Sequence, residues 1–382
     1  MTDATPLGDQ RDKFLVDDEV AYFNTAAMSP VLRTAHDAAV DAVDRRSKPW
    51  LLKAEHWFPD VEQLRRRLAS VINADADRVA LVPSTSYGLA AVARNLSARP
   101  GDRVLVLANE FPSSYYTWRH FTEQSGAELL VVTREPDQTW TEAVLSNIDE
   151  RVTIASVPNV HWTNGSRVDL DIVGPALRDV GAAFIVDASQ SLGVIPLDVM
   201  SLRPDAVVSV GYKWLLGPYS LGYMYVDPRF HDGEALEQNW IARLGSDDFT
   251  SLSDYNDVYE PGARRFDVGE RSNFQLLPMA IAALDQILAW TPQRIAASLR
   301  AVTDEIATGA DALGLTTPAA AERAPHMLGI GLPVEAARAA SQALEDAKVV
   351  ASVRGPSLRI APHLHVSDGD VQRLLGVLES IA

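Results

Sequence analysis

Cysteine is absent from this chain of 382 residues. Its absence removes disulfides, thiolate metal sites and thiol nucleophiles together. Long apolar runs are missing as well: no stretch reaches the ~18 apolar residues that a membrane-crossing helix needs. The polar opening, Met1-Thr2-Asp3-Ala4-Thr5-Pro6, carries no apolar signal core, so a cytoplasmic location is expected. Positive charge is scarce. Lysine and arginine number 34 against 51 acids, a net charge of −17, which disfavours nucleic acid and anionic membrane as partners. An anionic ligand must then be held by a local cluster of arginines. Neither G-x-G-x-x-G nor G-x-x-x-x-G-K-[ST] occurs, which argues against dinucleotide and P-loop sites. Gly217 to Gly222 misses the G-x-S-x-G elbow by its spacing. His363 and His365 have a spacing that can ligate metal, but no acid or cysteine cluster surrounds them, and no metal is expected.

What remains is an ordinary globular composition, 47% hydrophobic and 22% charged. The length exceeds what one core usually serves, so two domains are expected. Short apolar runs at 79–82, 103–107, 128–132, 152–157, 183–186, 206–210 and 221–226 read as strands. Helical spacing separates most of them, which argues a mainly parallel, doubly wound α/β sheet. After 226 the chain turns polar, aromatic and irregular to 270, too long for a plain loop unless it serves a site or an interface. An apolar helix follows at 273–290, and then a weaker α+β pattern with strands expected at 327–332, 349–353 and 357–360. The expected division is a lead-in segment 1–20, a large domain 21–272, a bridging helix 273–290 and a small domain 291–382. Trp50 and Trp57, with the 227–270 segment, are expected to shape a pocket.

The chemistry concentrates between Phe184 and Tyr225. The first strand there ends in an acid, Asp187, and the second is followed by Lys213 between Tyr212 and Trp214. Ligands of open α/β sheets bind beyond the carboxyl ends of the strands, where both residues fall. Singly, the acid reads as a turn residue and the lysine as a stem lying on two aromatic rings. Together they are the two groups that pyridoxal 5'-phosphate requires: an anion for the pyridine nitrogen and an amine for the aldehyde. Ser84-Thr85-Ser86 opens a helix and offers hydroxyls to a phosphate, although alone it is an ordinary cap. Phe111, after the second strand, can face the ring.

The patterns Asp187-Ala188-Ser189-Gln190-Ser191-Leu192-Gly193 and Ser209-Val210-Gly211-Tyr212-Lys213-Trp214-Leu215-Leu216-Gly217-Pro218 resemble the class V aminotransferase family, which includes cysteine desulfurases and kynureninases. The resemblance runs from about Tyr22 to the C-terminus. It implies the fold-type-I transferase architecture, a mainly parallel doubly wound sheet with a smaller α+β C-terminal domain. It also implies a homodimer with shared active sites. Lys213 would link to the cofactor and move protons at the substrate Cα, Asp187 would pair with the pyridinium, and Gln190 would bond the phenolic oxygen. Phe111 would stack on the ring, while Thr85, Ser86 and Tyr212 would hold the phosphate. Arg359 would grip the substrate carboxylate, with Asn24 and His161 as further substrate contacts.

Departures from the family pattern leave the subfamily, and with it the reaction, open. Phe111-Pro112-Ser113-Ser114 is more similar to the Phe-Pro-Thr-Asp of kynureninases than to the His-His motif of desulfurases. His161-Trp162 stands where desulfurases carry Ser-Asn, and Val210 replaces a serine. Where the family sends Gly-Thr to the partner's phosphate, this chain has Gly269-Glu270-Arg271-Ser272. Arg271 or Ser272 would make that contact, with Arg271 favoured for its charge and Glu270 turned to Arg271 or Arg265. A desulfurase is disfavoured, since no thiol exists to carry the persulfide. Transamination of a small α-amino acid is the leading expectation. A lyase or a racemase is the alternative, a catalytically silent cofactor-binding regulator a lesser one, and a nucleotide-binding α/β protein a more distant one.

Overall fold

A computed structural model describes residues 4–382; of the lead-in segment expected at 1–20, residues 1–3 lie outside the described residues. The chain opens with β1 (Ala21–Tyr22), α1 (Arg33–Arg46) and α2 (Pro59–Val71). It then alternates: β2 (Val79–Val82), α3 (Thr85–Arg94), β3 (Arg103–Leu107), α4 (Pro112–Ser125), β4 (Glu128–Val132), α5 (Trp140–Leu145), β5 (Val152–Pro158), α6 (Leu170–Asp179) and β6 (Ala183–Asp187). The short α7 (Val199–Leu202) leads to β7 (Ala206–Val210) and β8 (Gly222–Val226). Local chemistry sets the boundaries. Ser84 caps α3 by accepting the Tyr87 N–H at 3.1 Å, and Pro112 occupies the first turn of α4, where its missing N–H costs nothing. Gly126, at φ 75°, ends α4 in a left-handed turn.

The central sheet has seven strands in the order β2-β8-β7-β6-β5-β3-β4. β8 runs antiparallel to both neighbours, and the β7-β6-β5-β3-β4 ladder is parallel throughout. Every residue of β6, β7 and β8 is buried, as parallel sheets covered on both faces require. Close packing fixes the turns around Lys213. Gly193 sits at φ 100°, and a Cβ there would lie 2.5 Å from the Trp214 carbonyl, so the turn after β6 can lean on the lysine loop only as glycine.

Past an irregular 227–270 segment come α8 (Leu276–Trp290), α9 (Pro292–Ala312), β9 (Leu328–Gly331), α10 (Val334–Asp346), β10 (Val349–Val350), β11 (Ser352–Arg354), β12 (Ser357–Ile360) and α11 (Asp368–Ile381). β11, β12 and β9 form an antiparallel sheet with its own apolar core. The single strand expected at 349–353 is two strands in two sheets. β10 pairs in parallel with β1, whereas β11 turns to pair with β12. The start of the chain is thus woven into its end: Ala21 and Tyr22 pair with Val349 and Val350, and Asn24 bridges to Ala361. α8, expected to bridge the two domains, packs against α1 and α2.

Candidate active site

A cavity of about 410 Å³ opens beyond the carboxyl ends of the parallel strands. It is bordered by Ser84, Thr85 and Ser86 from the head of α3, by Glu110 and Phe111 after β3, by Asp187 at the end of β6, and by Tyr212 and Lys213 after β7. Four stretches far apart in sequence meet there because each strand delivers its last residue to the same edge of the sheet.

Burial governs the electrostatics. Asp187 is 7% exposed, and desolvation raises its pKa, opposed by hydrogen bonds from Ser189 and by the Lys213 charge. The Ser189 N–H donates to Asp187 Oδ1 at 2.9 Å and orients the carboxyl. Lys213, equally buried, is pushed down to about 8 by desolvation; Asp187 opposes that shift and Arg359 adds to it. A lysine at that value carries ~10% neutral amine at pH 7, against well under 0.1% for an exposed one. Its ammonium lies 5.4 Å from the centre of the Phe111 ring. Phe111 is set by Trp162, whose indole packs edge-on at 5.5 Å and donates to the Asn109 carbonyl at 2.8 Å.

At the head of α3, Ser84 and Ser86 share a hydrogen bond of 2.9 Å, and the Thr85 hydroxyl bonds to that of Ser189 at the same distance. Hydroxyls and the helix N-terminus together suit a phosphate. Gln190 is held from both sides. Its amide donates to the Ala26 carbonyl at 3.0 Å, and its oxygen accepts from the Trp214 indole at 2.8 Å. One amide hydrogen remains for the cavity. His326 supports this turn, its Nε2–H donating to the Gln190 carbonyl at 2.6 Å.

Arg359 and Asn24 do not border this cavity but lie behind Trp162, which does; Arg359 is 1% exposed and, among the described residues, has no carboxylate partner. It donates to the Trp162 carbonyl at 2.8 Å and to Asn24 Oδ1 at 3.3 Å, while its Nε is buried without a partner. Burial first, then Arg354, lowers its pKa to about 10. A buried guanidinium with open donors is poised for an anion. Asn24 is fixed behind it, accepting also from Ser352 at 2.8 Å.

A model of the class-V aminotransferase family matches residues 52–359. The chain belongs to that family. An uncharacterized aminotransferase, YcbU of Bacillus subtilis, is 27% identical over 82% of this chain and 83% of its own length. Isopenicillin N epimerase of Streptomyces clavuligerus is 24% identical over 97% of both chains. Among solved structures, a cysteine desulfurase from Thermococcus onnurineus aligns over 99% of both chains with a TM-score of 0.82 at 20% identity. The cystine C-S lyase C-DES aligns over 96% of this chain and 98% of its own with a TM-score of 0.85 at 17% identity. These two likenesses establish the fold, which is fold type I. Class-V aminotransferases work with pyridoxal phosphate, and the residues present here fit it. The cavity supplies a hydroxyl-lined helix start, a buried acid, a buried amine of lowered pKa and an aromatic face.

Several expected site residues lie elsewhere. His161, expected as a substrate contact, does not border the cavity: it stacks on Trp140 at 5.2 Å, and its ring nitrogens bond Thr163 at 2.7 Å and Ala108 at 3.0 Å. Arg271 is not free for a partner's phosphate. It is 4% exposed and donates to Asp267 at 2.7 Å and to the Ile241 carbonyl at 2.8 Å. Ser272 is buried and gives its hydroxyl hydrogen to the Trp57 carbonyl. Glu270 pairs with neither expected arginine, since Arg265 takes Asp232 and Arg271 takes Asp267. Trp50 is 75% exposed, and Trp57 packs with Trp240, Phe249 and Phe274; neither borders the cavity, nor does any residue of 227–270. Conversely, Glu110, Ser189, Tyr219 and Trp162 border it. Ser189 lies inside the Asp187–Gly193 pattern and Trp162 in the His161-Trp162 departure, whereas no expectation was attached to Glu110 or Tyr219.

Proposed function

We propose that this class-V enzyme is an aminotransferase acting on a small α-amino acid. One observation carries the choice: among the described residues Lys213 is the only lysine, arginine or histidine bordering the cavity, and its Nζ lies over the Phe111 ring. A single base that takes and returns a proton on one side suits a proton shift between two carbons. Inverting a stereocentre calls for acid and base on opposed sides. When bound, the cofactor supplies the electron sink that acidifies the substrate Cα–H. Lys213 Nζ then moves that proton, Asp187 holds the pyridinium proton, and Gln190 donates its free amide hydrogen to the phenolic oxygen. Thr85, Ser86 and Tyr212 hold the phosphate, and Phe111 covers the ring. Arg359, braced by Asn24 and the Trp162 carbonyl, takes the substrate carboxylate in bidentate fashion.

Epimerisation is a second reading, favoured by the end-to-end match to isopenicillin N epimerase. Elimination by a lyase is the third outcome to be tested. Amino acids supplied in heavy water, with and without a 2-oxo-acid acceptor, separate them. Transamination yields a new oxo acid only with the acceptor, epimerisation yields the mirror amino acid carrying deuterium at Cα, and elimination yields ammonia without the acceptor. Failure to form any oxo acid from a full amino-acid panel would overturn the aminotransferase reading. The proposal includes a cytoplasmic homodimer; among the described residues no helix is long and apolar enough to cross a membrane. It also retains a large unit 21–272 and a small unit 291–382 joined through 273–290, with 21–24 strand-paired to the small unit.

A further inference from the structure

Glu110 lies in the turn between β3 and α4, is 7% exposed and borders the cavity that holds Asp187 and Lys213. Its two oxygens are not equivalent. Oε1 accepts the Phe111 N–H at 2.7 Å, whereas Oε2 is buried and has no partner. Among the described residues no lysine, arginine or histidine forms an ion pair with it, and the charge that acts on it is that of Asp187. A buried carboxylate with one bare oxygen beside a second carboxylate is unfavourable twice over, by desolvation and by repulsion.

Building on the cofactor assignment above, we propose that Glu110 is a positioning residue held as a neutral acid. Its Oε1 takes the Phe111 N–H, and its buried Oε2 carries the proton. Pyridoxal phosphate is therefore received by one carboxylate, Asp187, rather than by two. The division of labour follows from the contacts, because the oxygen that accepts a backbone N–H is the carbonyl-like one and the free oxygen is left to bear the hydrogen. Burial, and then Asp187, pushes the Glu110 pKa up to about 8. The titratable groups that share the cavity with it are Asp187 from the end of β6 and Tyr212, Lys213 and Tyr219 from the loop after β7, while His161, from the loop after β5, bonds Ala108 two residues upstream of Glu110. Lys213, the one cation among them that borders the cavity, is directed over the Phe111 ring. The cofactor brings a phosphate dianion into a cavity with that single cation, so a second ionised carboxylate works against binding.

The sign follows. Raising the pH through about 8 strips the proton from Glu110 in the empty protein, while the bound state favours the protonated acid, so binding weakens with rising pH by linkage. Lys213, the phosphate and the pyridine nitrogen also titrate, so the measured quantity is the ratio of dissociation constants between the wild type and Glu110→Gln, which differ in this proton alone. Pyridoxal phosphate is titrated into each apoprotein, with tryptophan fluorescence as readout, at pH 7 and pH 9. The expected result is equal affinity within about threefold at pH 7 and binding by the wild type weaker by roughly tenfold at pH 9, the ratio a group of pKa about 8 produces. Glu110→Met, neutral and of similar length, provides the same comparison if the glutamine variant does not accumulate. A ratio that is the same at both pH values overturns the proposal. A wild type that binds no pyridoxal phosphate at pH 7 overturns the cofactor assignment as well, and so the two failures are distinguishable.

Discussion

Asp267 is the residue whose loss should be felt furthest from the cavity. It is fully buried between Arg65, also fully buried, and Arg271. Its Oδ2 accepts from Arg65 at 2.7 Å and from Arg271 at 2.7 Å, while its Oδ1 accepts the Leu81 N–H at 2.7 Å and Arg65 at 3.1 Å. Burial alone would depress the Arg65 pKa, but Asp267 and Glu62 outweigh it and hold it above the usual value. Asp267→Asn keeps an oxygen for Leu81 but removes the charge and turns an amide towards a guanidinium. Breaking a buried pair from one side typically costs about 3–5 kcal/mol, because a charge is left without compensation. Arg65 retains Glu62 at 3.1 Å and the Val79 carbonyl, whereas Arg271 retains only the Ile241 carbonyl, so the cost should fall near the lower figure. The assay is urea unfolding followed by tryptophan fluorescence at matched protein concentration. A second reading comes from Asp267→Asn combined with Arg271→Met, which removes the orphaned charge and should recover part of the loss. Because Val268 is tied to Leu81 at 2.9 Å, and β2 leads directly into Ser84-Thr85-Ser86, cofactor retention should fall as well. A loss below about 1 kcal/mol, or a double variant no more stable than Asp267→Asn, would refute the view that Arg271 is committed to this network.

Three other outcomes bear on the cavity itself. The chain has five lysines, and borohydride reduction of the cofactor-loaded protein should fix label on the peptide containing Lys213 alone, read by mass spectrometry; label on Lys13, Lys48, Lys53 or Lys348 instead removes Lys213 from its role. Asp187→Asn should retain cofactor yet lose most turnover. Because the Asp187 charge raises the Lys213 pKa, the same change should move the pH midpoint of cofactor capture, set by neutral Lys213, below the wild-type value of about 8; near-normal turnover or an upward move contradicts the pairing. Arg359→Lys gives up a forked, charge-assisted contact worth about 2–5 kcal/mol when its partner stays buried, roughly 30-fold to several thousandfold in kcat/KM, with the cofactor absorbance unchanged. An unaltered KM for an identified amino acid would strike Arg359 from the site.

The mainly parallel sheet was legible because its strands are continuous apolar runs, and β2, β3, β4 and β7 lie where those runs do. Asp187 and Lys213 were legible for a related reason. A residue at the end of a strand has its position fixed by the strand, so finding the strand locates the side chain at the carboxyl edge of the sheet. The division of 349–353 between two sheets was not legible. Five residues of similar apolar character carry no mark of which neighbour each will pair with, and the switch at Ala351 depends on β1 arriving from the far end of the chain.

Arginine 271 shows where reading along the chain stops. The expectation that it serves a phosphate rested on the local sequence Gly269-Glu270-Arg271-Ser272, in which the nearest acid is the adjacent Glu270. The acid that takes it is Asp267, four residues upstream, which is itself fixed by Arg65 on α2 more than two hundred positions away. Adjacent residues rarely face one another, whereas the three-dimensional neighbours of a guanidinium are set by which elements converge on it. Arg359 makes the same point from the other side. No local feature marks it as lacking an acid in a chain with 51 of them, and only its burial behind Asn24 and Trp162 without a carboxylate partner among the described residues distinguishes it from the buried arginines that bind this fold together. In an acidic protein a structural arginine finds a carboxylate readily, so a buried one left without is best explained by a ligand that brings the missing charge.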